Sequence, residues 1–236
     1  MVGAPQAQHF EMCFAVAQLA GWLPEGTEAV HVAFGSVLGA DRKMFKTREG
    51  GTVKLKDLLD EGIDRARQAL LERGASEDVE LVAHQVAMGA IKFADLSTDR
   101  QRDYIFDWDR MLAFEGATGP YLQYAHARIR SIFRRAEEDD RPGALLLGHP
   151  AERALARHLV AFPDAVSSAL DTLSPSKLCT YLFELAQCFT SFYESCPVLK
   201  APDAPLRASR LALCEMSAAI LAEGLDLLGI AAPERM

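Results

Sequence analysis

The clearest structural signal in this sequence lies at residues 174–192, which contain Ser-Pro-Ser-Lys-Leu-Cys-Thr-Tyr-Leu-Phe-Glu-Leu-Ala-Gln-Cys-Phe-Thr-Ser-Phe. Large apolar residues recur here at alternating intervals of four and three, at Leu178, Leu182, Leu185, Phe189 and Phe192. Because an α-helix turns once in about 3.6 residues, these side chains share one helical face. Ser174 is a preferred N-cap residue, and Pro175 is compatible with the first helical position. The stretch therefore predicts an amphipathic helix that buries one face.

The same periodicity recurs along most of the chain. A final helix is predicted over residues 211–228, ending at Gly229. Earlier apolar stripes predict helices over residues 58–70, over residues 81–95, from about residue 117 to the acidic cluster at 137–140, and from residue 151. Helices with one apolar face pack together, so the sequence predicts a mainly α fold built as a helical bundle.

The first part of the chain has a different pattern. Residues 6–20 show near-helical apolar spacing that ends at Gly21, and residues 29–38 are rich in β-branched residues. Residues 40–52 are charged and end in two glycines, which predicts a loop. A helix followed by a strand is typical of α/β domains, so a short α/β segment is predicted before the bundle.

Composition limits the possible functions. The 236 residues are 50% hydrophobic and 25% charged, and we expect neither a secretory signal nor a membrane span. The net charge of −8 disfavours general nucleic-acid binding, although basic residues are concentrated at 42–56 and 128–135. Five cysteines without a CxxC pair or a nearby histidine cluster predict buried, reduced thiols and no metal site.

Two lysines in the charged loop, Lys43 and Lys46, form the first candidate site. Lysines on such a loop can stabilise the negative charge that develops on a polyphosphate during adenylyl transfer. A solvated lysine-rich loop without a catalytic role explains the same spacing. The spacing alone therefore leaves both interpretations open.

A second candidate lies on the helix predicted from residue 117. Tyr121, Tyr124, Arg128 and Arg135 fall within roughly 60° of one another on a helix that turns about 100° per residue. Aromatic rings beside guanidinium groups suit unstacked bases and phosphates. The alternative is that the tyrosines close the edge of the core while the arginines are only solvated. The histidines show no catalytic spacing and are expected to be structural or exposed.

Several segments resemble, in the same order, those of the arginyl-tRNA synthetases, a family of class I aminoacyl-tRNA synthetases. Residues 35–50, Gly-Ser-Val-Leu-Gly-Ala-Asp-Arg-Lys-Met-Phe-Lys-Thr-Arg-Glu-Gly, resemble the lysine-containing second signature of this class. Further resemblance lies at residues 6–10, 91–96, 103–106 and 115–124, and in the terminal Pro-Glu-Arg-Met. Two positions depart from the pattern, where Phe45 replaces a serine and Ala117 an asparagine. The pattern is most similar to the eukaryotic cytosolic members.

The resemblance implies a division of the chain and a role for particular residues. Residues 1–52 would be the C-terminal remnant of a class I nucleotide-binding catalytic domain, 53–108 a helical connecting segment, and 109–236 a helical anticodon-binding domain. The resemblance assigns Gln6 and His9 to amino-acid binding, and the catalytic Lys43 and Lys46 to the ATP phosphates. The residues it assigns to tRNA binding are Tyr121, Tyr124, Arg128, Arg135, Tyr193 and Met236.

The implied function is that of an arginine–tRNA ligase, but one signature is absent. The family's His-Ile-Gly-His sequence, which holds ATP at a helix N-terminus, does not occur in this chain. We therefore expect a truncated or fragmentary chain that binds tRNA-Arg but is inactive alone.

The resemblance also implies partners and a location. They are tRNA-Arg, with arginine, ATP and Mg²⁺ in the full-length enzyme, in the cytoplasm. We expect no tightly bound cofactor on this chain, and no DNA or membrane partner. Two other functions remain open: a stand-alone RNA-binding module without catalysis, and a helical scaffold for protein partners.

Overall fold

The computed structural model describes residues 1–39, 42, 54–74 and 78–236. The chain divides into two compact units, which are described separately. One comprises residues 1–52 and 98–107, and the other comprises residues 53–97 and 108–236. The three-part division at residues 52 and 108 that the sequence suggests stays a prediction.

The first unit contains one helix and short parallel strands. Its elements are β1 (Val2–Gly3), a 3-10 helix (Ala4–Gln6), α1 (Ala7–Leu19), β2 (Ala33–Phe34), β3 (Val37–Leu38) and β4 (Tyr104–Ile105). Val2 pairs with Ala33 in the β1–β2 ladder. Val37 pairs with Tyr104 in the β3–β4 ladder. The predicted helix over 6–20 is thus confirmed in substance, with Gly21 in the left-handed region at its end.

The single extended stretch predicted over 29–38 is wrong in one respect. It forms two short strands that pair with different partners, because the backbone at Gly35 leaves the first ladder. Gly35 N–H donates to the Arg100 carbonyl at 2.6 Å, and Ser36 N–H donates to the Asp103 carboxylate at 2.6 Å. A Cβ at Gly35 would collide with the Arg102 carbonyl, so this close approach requires glycine.

The second unit is a helical bundle, and the mainly α prediction is confirmed. Its helices are α2 (Leu55–Glu72), α3 (Val79–Ser97), α4 (Trp108–Met111), α5 (Gly119–Arg134), α6 (Pro150–Val160), α7 (Phe162–Asp171), α8 (Pro175–Ser195) and α9 (Ala204–Leu227). The five apolar residues that predicted α8 are all buried in the main core. That core also takes in residues of α3, α5, α6 and α9.

Helix ends were predicted less well than helix faces. Ser174 stands at the N-cap of α8, but its hydroxyl donates to the Thr172 carbonyl at 3.1 Å and caps nothing. The last helix begins at Ala204 rather than near residue 211, because the Asp203 carboxylate accepts the Leu206 N–H at 2.8 Å.

The start of α5 matters for the candidate site, because it fixes the rotation of that helix. Thr118 is the N-cap: its hydroxyl accepts from Tyr121 N–H at 3.2 Å and donates to the Ala113 carbonyl at 2.6 Å. The helix then crosses α3 at very short range, since a Cβ on Gly119 would collide with the Gly89 carbonyl. Both contacts leave α5 little freedom to rotate.

The cysteines follow the prediction only in part. Cys179, Cys196 and Cys214 are buried and Cys188 is half-buried, but Cys13 is exposed. Burial raises the pKa of Cys179 and Cys214 to about 12, so both thiols stay protonated near neutral pH.

Candidate nucleic-acid interface

Two of the residues predicted to bind tRNA, Arg128 on α5 and Tyr193 on α8, are in direct contact. The guanidinium carbon of Arg128 lies 4.9 Å from the centre of the Tyr193 ring, which is cation–π range. That ring also stacks on Phe189, with centroids 6.0 Å apart and an interplanar angle of 22°. Phe189 is a core residue, so Tyr193 joins the core to a charged, half-buried side chain. Within the part of the chain that the structure describes, Arg128 forms no ion pair with a carboxylate.

Tyr124 lies one turn before Arg128 on α5 and points to a different neighbour. Its ring meets the edge of Phe114 at a centroid distance of 6.4 Å and an angle of 87°. Tyr124 is 39% exposed, so part of the side chain is accessible to a ligand. Phe114 belongs to a second apolar cluster built on α2 and α3, and Met236 packs against the same cluster. The structure therefore brings Met236 and Tyr124 to one cluster, and Arg128 and Tyr193 together beside it.

Two of the predicted tRNA-binding residues make other contacts. The half-buried Tyr121 ring meets Phe183 edge-on at 5.7 Å and packs at the margin of the main core. Arg135 folds back along its own helix, where its Nε donates to the Ser131 carbonyl at 3.1 Å. For Tyr121 this geometry fits the alternative that it closes the core edge. Both roles in RNA binding stay predictions.

The face of α5 that carries Gln123, His126 and Arg130 holds residues 231–234 of the C-terminal tail. Gln123 Nε2 donates to the carbonyls of Ala231 at 2.8 Å and Gln85 at 3.0 Å. His126 Nδ1 donates to the Pro233 carbonyl at 3.0 Å, and Arg130 Nε donates to the Glu234 carboxylate at 2.7 Å. These hydrogen bonds hold the tail against α5.

Sequence reasoning missed these tail-binding residues. Gln123 and His126 are polar residues on a side of the helix that faces other protein, and both are buried, with 0% and 4% exposure. Burial lowers the pKa of His126, although the Pro233 carbonyl and the Glu234 carboxylate oppose the shift. The imidazole is therefore neutral near pH 7, with its proton on Nδ1 fixed by the carbonyl acceptor. The only available signal was the burial expected for their helical positions.

The structure describes only some of the residues predicted to act in catalysis and substrate binding. Gln6 ends the 3-10 helix before α1 and is exposed. His9 is also exposed, with its ring edge-on to Phe10 at 5.7 Å and its Nε2 3.7 Å from the Cys13 sulfur. Lys43 and Lys46 lie outside the described residues, as do Phe45 and most of the predicted loop. Their assignment to the ATP phosphates therefore stays a prediction.

Metal-binding clusters and membrane-spanning helices are both missing from the described ranges. These residues hold no group of three or more histidine, cysteine or acidic side chains placed to bind a metal ion. None of the helices described in the structure combines the length and apolarity that crossing a membrane requires.

Two protein families match successive parts of the chain. Residues 1–108 match the family described as tRNA synthetases class I (R), catalytic domain. Residues 122–236 match the DALR anticodon binding domain. Part of a class I aminoacyl-tRNA synthetase catalytic domain is thus followed by an anticodon-binding domain.

Curated relatives carry the assignment further. The chain is 52% identical to the arginine–tRNA ligase of Frankia casuarinae, with 100% of this chain and 41% of that protein aligned. It is 50% identical to the arginine–tRNA ligase of Thermobifida fusca, at 100% and 42% coverage. The chain belongs to the arginyl-tRNA synthetase family and corresponds to the C-terminal portion of these proteins. These bacterial relatives do not support the predicted eukaryotic cytosolic type.

Solved structures agree with this assignment. The arginyl-tRNA synthetase of Thermus thermophilus superposes with a TM-score of 0.89 at 38% identity, over 100% of this chain and 40% of that one. That of Plasmodium falciparum superposes with a TM-score of 0.84 at 32% identity, over 100% and 40%. The chain thus spans about two fifths of the length of its relatives.

Proposed function

We propose that this chain supplies the tRNA-binding, C-terminal part of an arginine–tRNA ligase. It binds the anticodon region of tRNA-Arg, while the complete enzyme activates arginine with ATP and transfers it to the tRNA. The observation that carries the proposal is the contact between Arg128 and Tyr193, two residues that the family resemblance assigns to tRNA binding. An arginine held against a ring without a carboxylate partner in the described chain keeps its charge available for phosphate.

The tyrosines and arginines have complementary roles in this proposal. Tyr124 offers its partly exposed ring to an unstacked base, because every base has a π-face, whereas the Tyr193 ring packs on Phe189 and holds Arg128 in place. Arg128 contacts the backbone phosphate, which adds affinity that depends on salt. Tyr121, Arg135 and Met236 are proposed to line the same RNA path.

The catalytic side of the proposal concerns the complete enzyme. In the complete enzyme, Gln6 and His9 contact the amino acid. Lys43 and Lys46 contact the ATP phosphates, and Mg²⁺ would neutralise part of the phosphate charge. Because both lysines lie outside the described residues, the proposal assigns them a role but no geometry. We expect no tight binding of ATP by this chain alone. We also propose a cytoplasmic location, as the family resemblance implies.

Binding to the anticodon is tested by fluorescence anisotropy. The chain is titrated with tRNA-Arg and with the same tRNA carrying a changed anticodon, and tighter binding to the first is expected. Tyr124→Ala should weaken binding, whereas Tyr124→Phe keeps the aromatic face and should restore it. Equal binding to both tRNAs, or equal loss with both variants, would contradict the proposal.

A separate assay tests the expectation that this chain is inactive alone. We expect no arginine-dependent ATP–pyrophosphate exchange above background, since an incomplete site cannot position the reacting groups. Exchange that Lys46→Ala abolishes would contradict this expectation. A stand-alone RNA-binding module is favoured instead if no in-frame coding sequence with the His-Ile-Gly-His signature lies upstream.

A further inference from the structure

The arginines of the bundle differ in what neutralises them. Among the described residues, carboxylates pair with Arg65, Arg67, Arg130, Arg207 and Arg210. Two others, Arg73 and Arg128, lie over aromatic rings and form no ion pair with a carboxylate in the described ranges. Arg128 already belongs to the proposed interface. Arg73, like Arg128, lies over an aromatic ring, but no sequence motif indicates Arg73.

Arg73 is linked to the proposed interface by the ring of Phe114. It lies at the C-terminal end of α2, and its guanidinium carbon is 4.2 Å from the centre of the Phe114 ring. The edge of that ring meets Tyr124. One turn further along α5, Arg128 lies over Tyr193. Two guanidinium groups and three rings therefore follow one another from α2 to α8, in the order Arg73, Phe114, Tyr124, Arg128 and Tyr193.

Such a row matches the chemistry of single-stranded RNA. A single strand presents flat bases and negatively charged phosphates in regular alternation, which rings and guanidinium groups bind respectively. The mostly buried Phe114 cannot itself take a base, so its part is to hold Arg73 and Tyr124 in position.

From this row we infer that Arg73 is a further tRNA contact, which binds a backbone phosphate on the α2 side of Tyr124. The inference rests on the proposed function and extends it to a helix outside the region that matches the anticodon-binding family. It also sets the path of the RNA, from α8 across α5 to the end of α2.

A simpler explanation is that Arg73 only stabilises the end of its helix. A cation at a helix C-terminus interacts favourably with the carbonyl dipoles there. That interaction needs neither the ring nor a phosphate, and it predicts no effect on RNA affinity. The two explanations therefore differ in a measurable quantity.

The test compares Arg73 with an arginine of the same helix. Arg67 lies about 120° around α2 from Arg73 and is held by Glu80 at 2.7 Å. Binding of tRNA-Arg is measured across a salt series for the parent chain, Arg73→Gln, Arg67→Gln and Arg128→Gln. We expect Arg73→Gln to reduce the slope of log affinity against log salt by about 1, as one lost phosphate contact should. Arg67→Gln should leave the slope unchanged.

A second variant guards against loss of folding. Arg73→Met keeps an apolar side chain on Phe114 but removes the charge, and thermal melting is followed for every variant. If Arg73→Gln melts early, Arg73→Met must show the reduced slope for the inference to stand.

The possible outcomes distinguish failure of the Arg73 inference from failure of the proposed function. If the slope falls for Arg128→Gln but not for Arg73→Gln or Arg73→Met, the inference is overturned while the proposed function stands. If Arg67→Gln lowers the slope equally, the effect is general charge and the inference is again overturned. If the parent chain does not bind tRNA, both fail together.

Discussion

The two sides of α5 use the same kinds of residue for opposite purposes. Arg128 lies over the Tyr193 ring and has no carboxylate partner among the described residues, whereas Arg130 is paired with Glu234 at 2.7 Å. The two arginines are two positions apart, which turns them about 200° around the helix. Since they are chemically identical, their different neighbours, Tyr193 for Arg128 and Glu234 for Arg130, distinguish them. The Arg128 side is left able to bind a ligand, whereas the Arg130 side binds residues 231–234 of the C-terminal tail.

The largest expected effect comes from the tail side. Gln123→Ala removes both hydrogen bonds to backbone carbonyls and leaves a buried gap, so the free energy of unfolding should fall by about 3 kcal/mol. Urea denaturation measures this loss. A fall of less than about 1 kcal/mol would show that Gln123 contributes little to the fold. The Gln123 Oε1 atom has no hydrogen-bond partner in the described chain, which limits what this side chain can contribute.

A smaller effect, on binding rather than on folding, is expected from the ligand side. Tyr193→Ala should weaken tRNA-Arg binding by about 1 kcal/mol, because it removes the ring that holds Arg128. Because Tyr193 also packs on Phe189, its melting temperature must be followed in parallel. Tyr193→Phe retains the ring and serves as the matched control. Unchanged affinity in a folded Tyr193→Ala protein would make the ring purely structural.

The smallest effect concerns pH and belongs to His126. Its pKa is lowered from 6.5 by burial, so the unfolded chain binds more protons than the folded one just below that pH. The stabilisation is therefore complete above about pH 6.5 and is lost as the pH falls through the lower, folded pKa.

His126→Gln provides the comparison, since glutamine does not titrate and can still donate to the Pro233 carbonyl. Urea midpoints of the parent should fall more steeply than those of the variant between about pH 7 and pH 5. Parallel curves would exclude a contribution from His126.

How much the sequence could predict depends on the range of the interactions involved. The stripe of α8 was predictable because its period is local, and Leu182, Leu185 and Phe192 are fully buried as expected. The break at Gly35 was not, because it depends on a contact with Arg102, distant in sequence. The Ser174 cap failed for a local reason, since its hydroxyl donates to the Thr172 carbonyl two residues earlier.

The candidate site divides in the same way. Periodicity placed Tyr124 and Arg128 on one stripe, and family resemblance added Tyr193, which lies at Arg128. Neither periodicity nor resemblance indicated Arg73, whose link to the stripe passes through Phe114. Gln123 and His126 were also missed, because their partners are main-chain carbonyls, which carry no signal in side-chain identity.

The most direct test of the contrast across α5 is the salt dependence of tRNA-Arg binding for Arg128→Gln and Arg130→Gln. Removing Arg128 should lower the slope of log affinity against log salt by about 1, because a phosphate contact is lost. Removing Arg130 should leave that slope unchanged, because its charge is already neutralised by Glu234. Equal slopes for the two variants, or a larger loss with Arg130→Gln, would contradict the assignment of the RNA to the Tyr193 side of the helix.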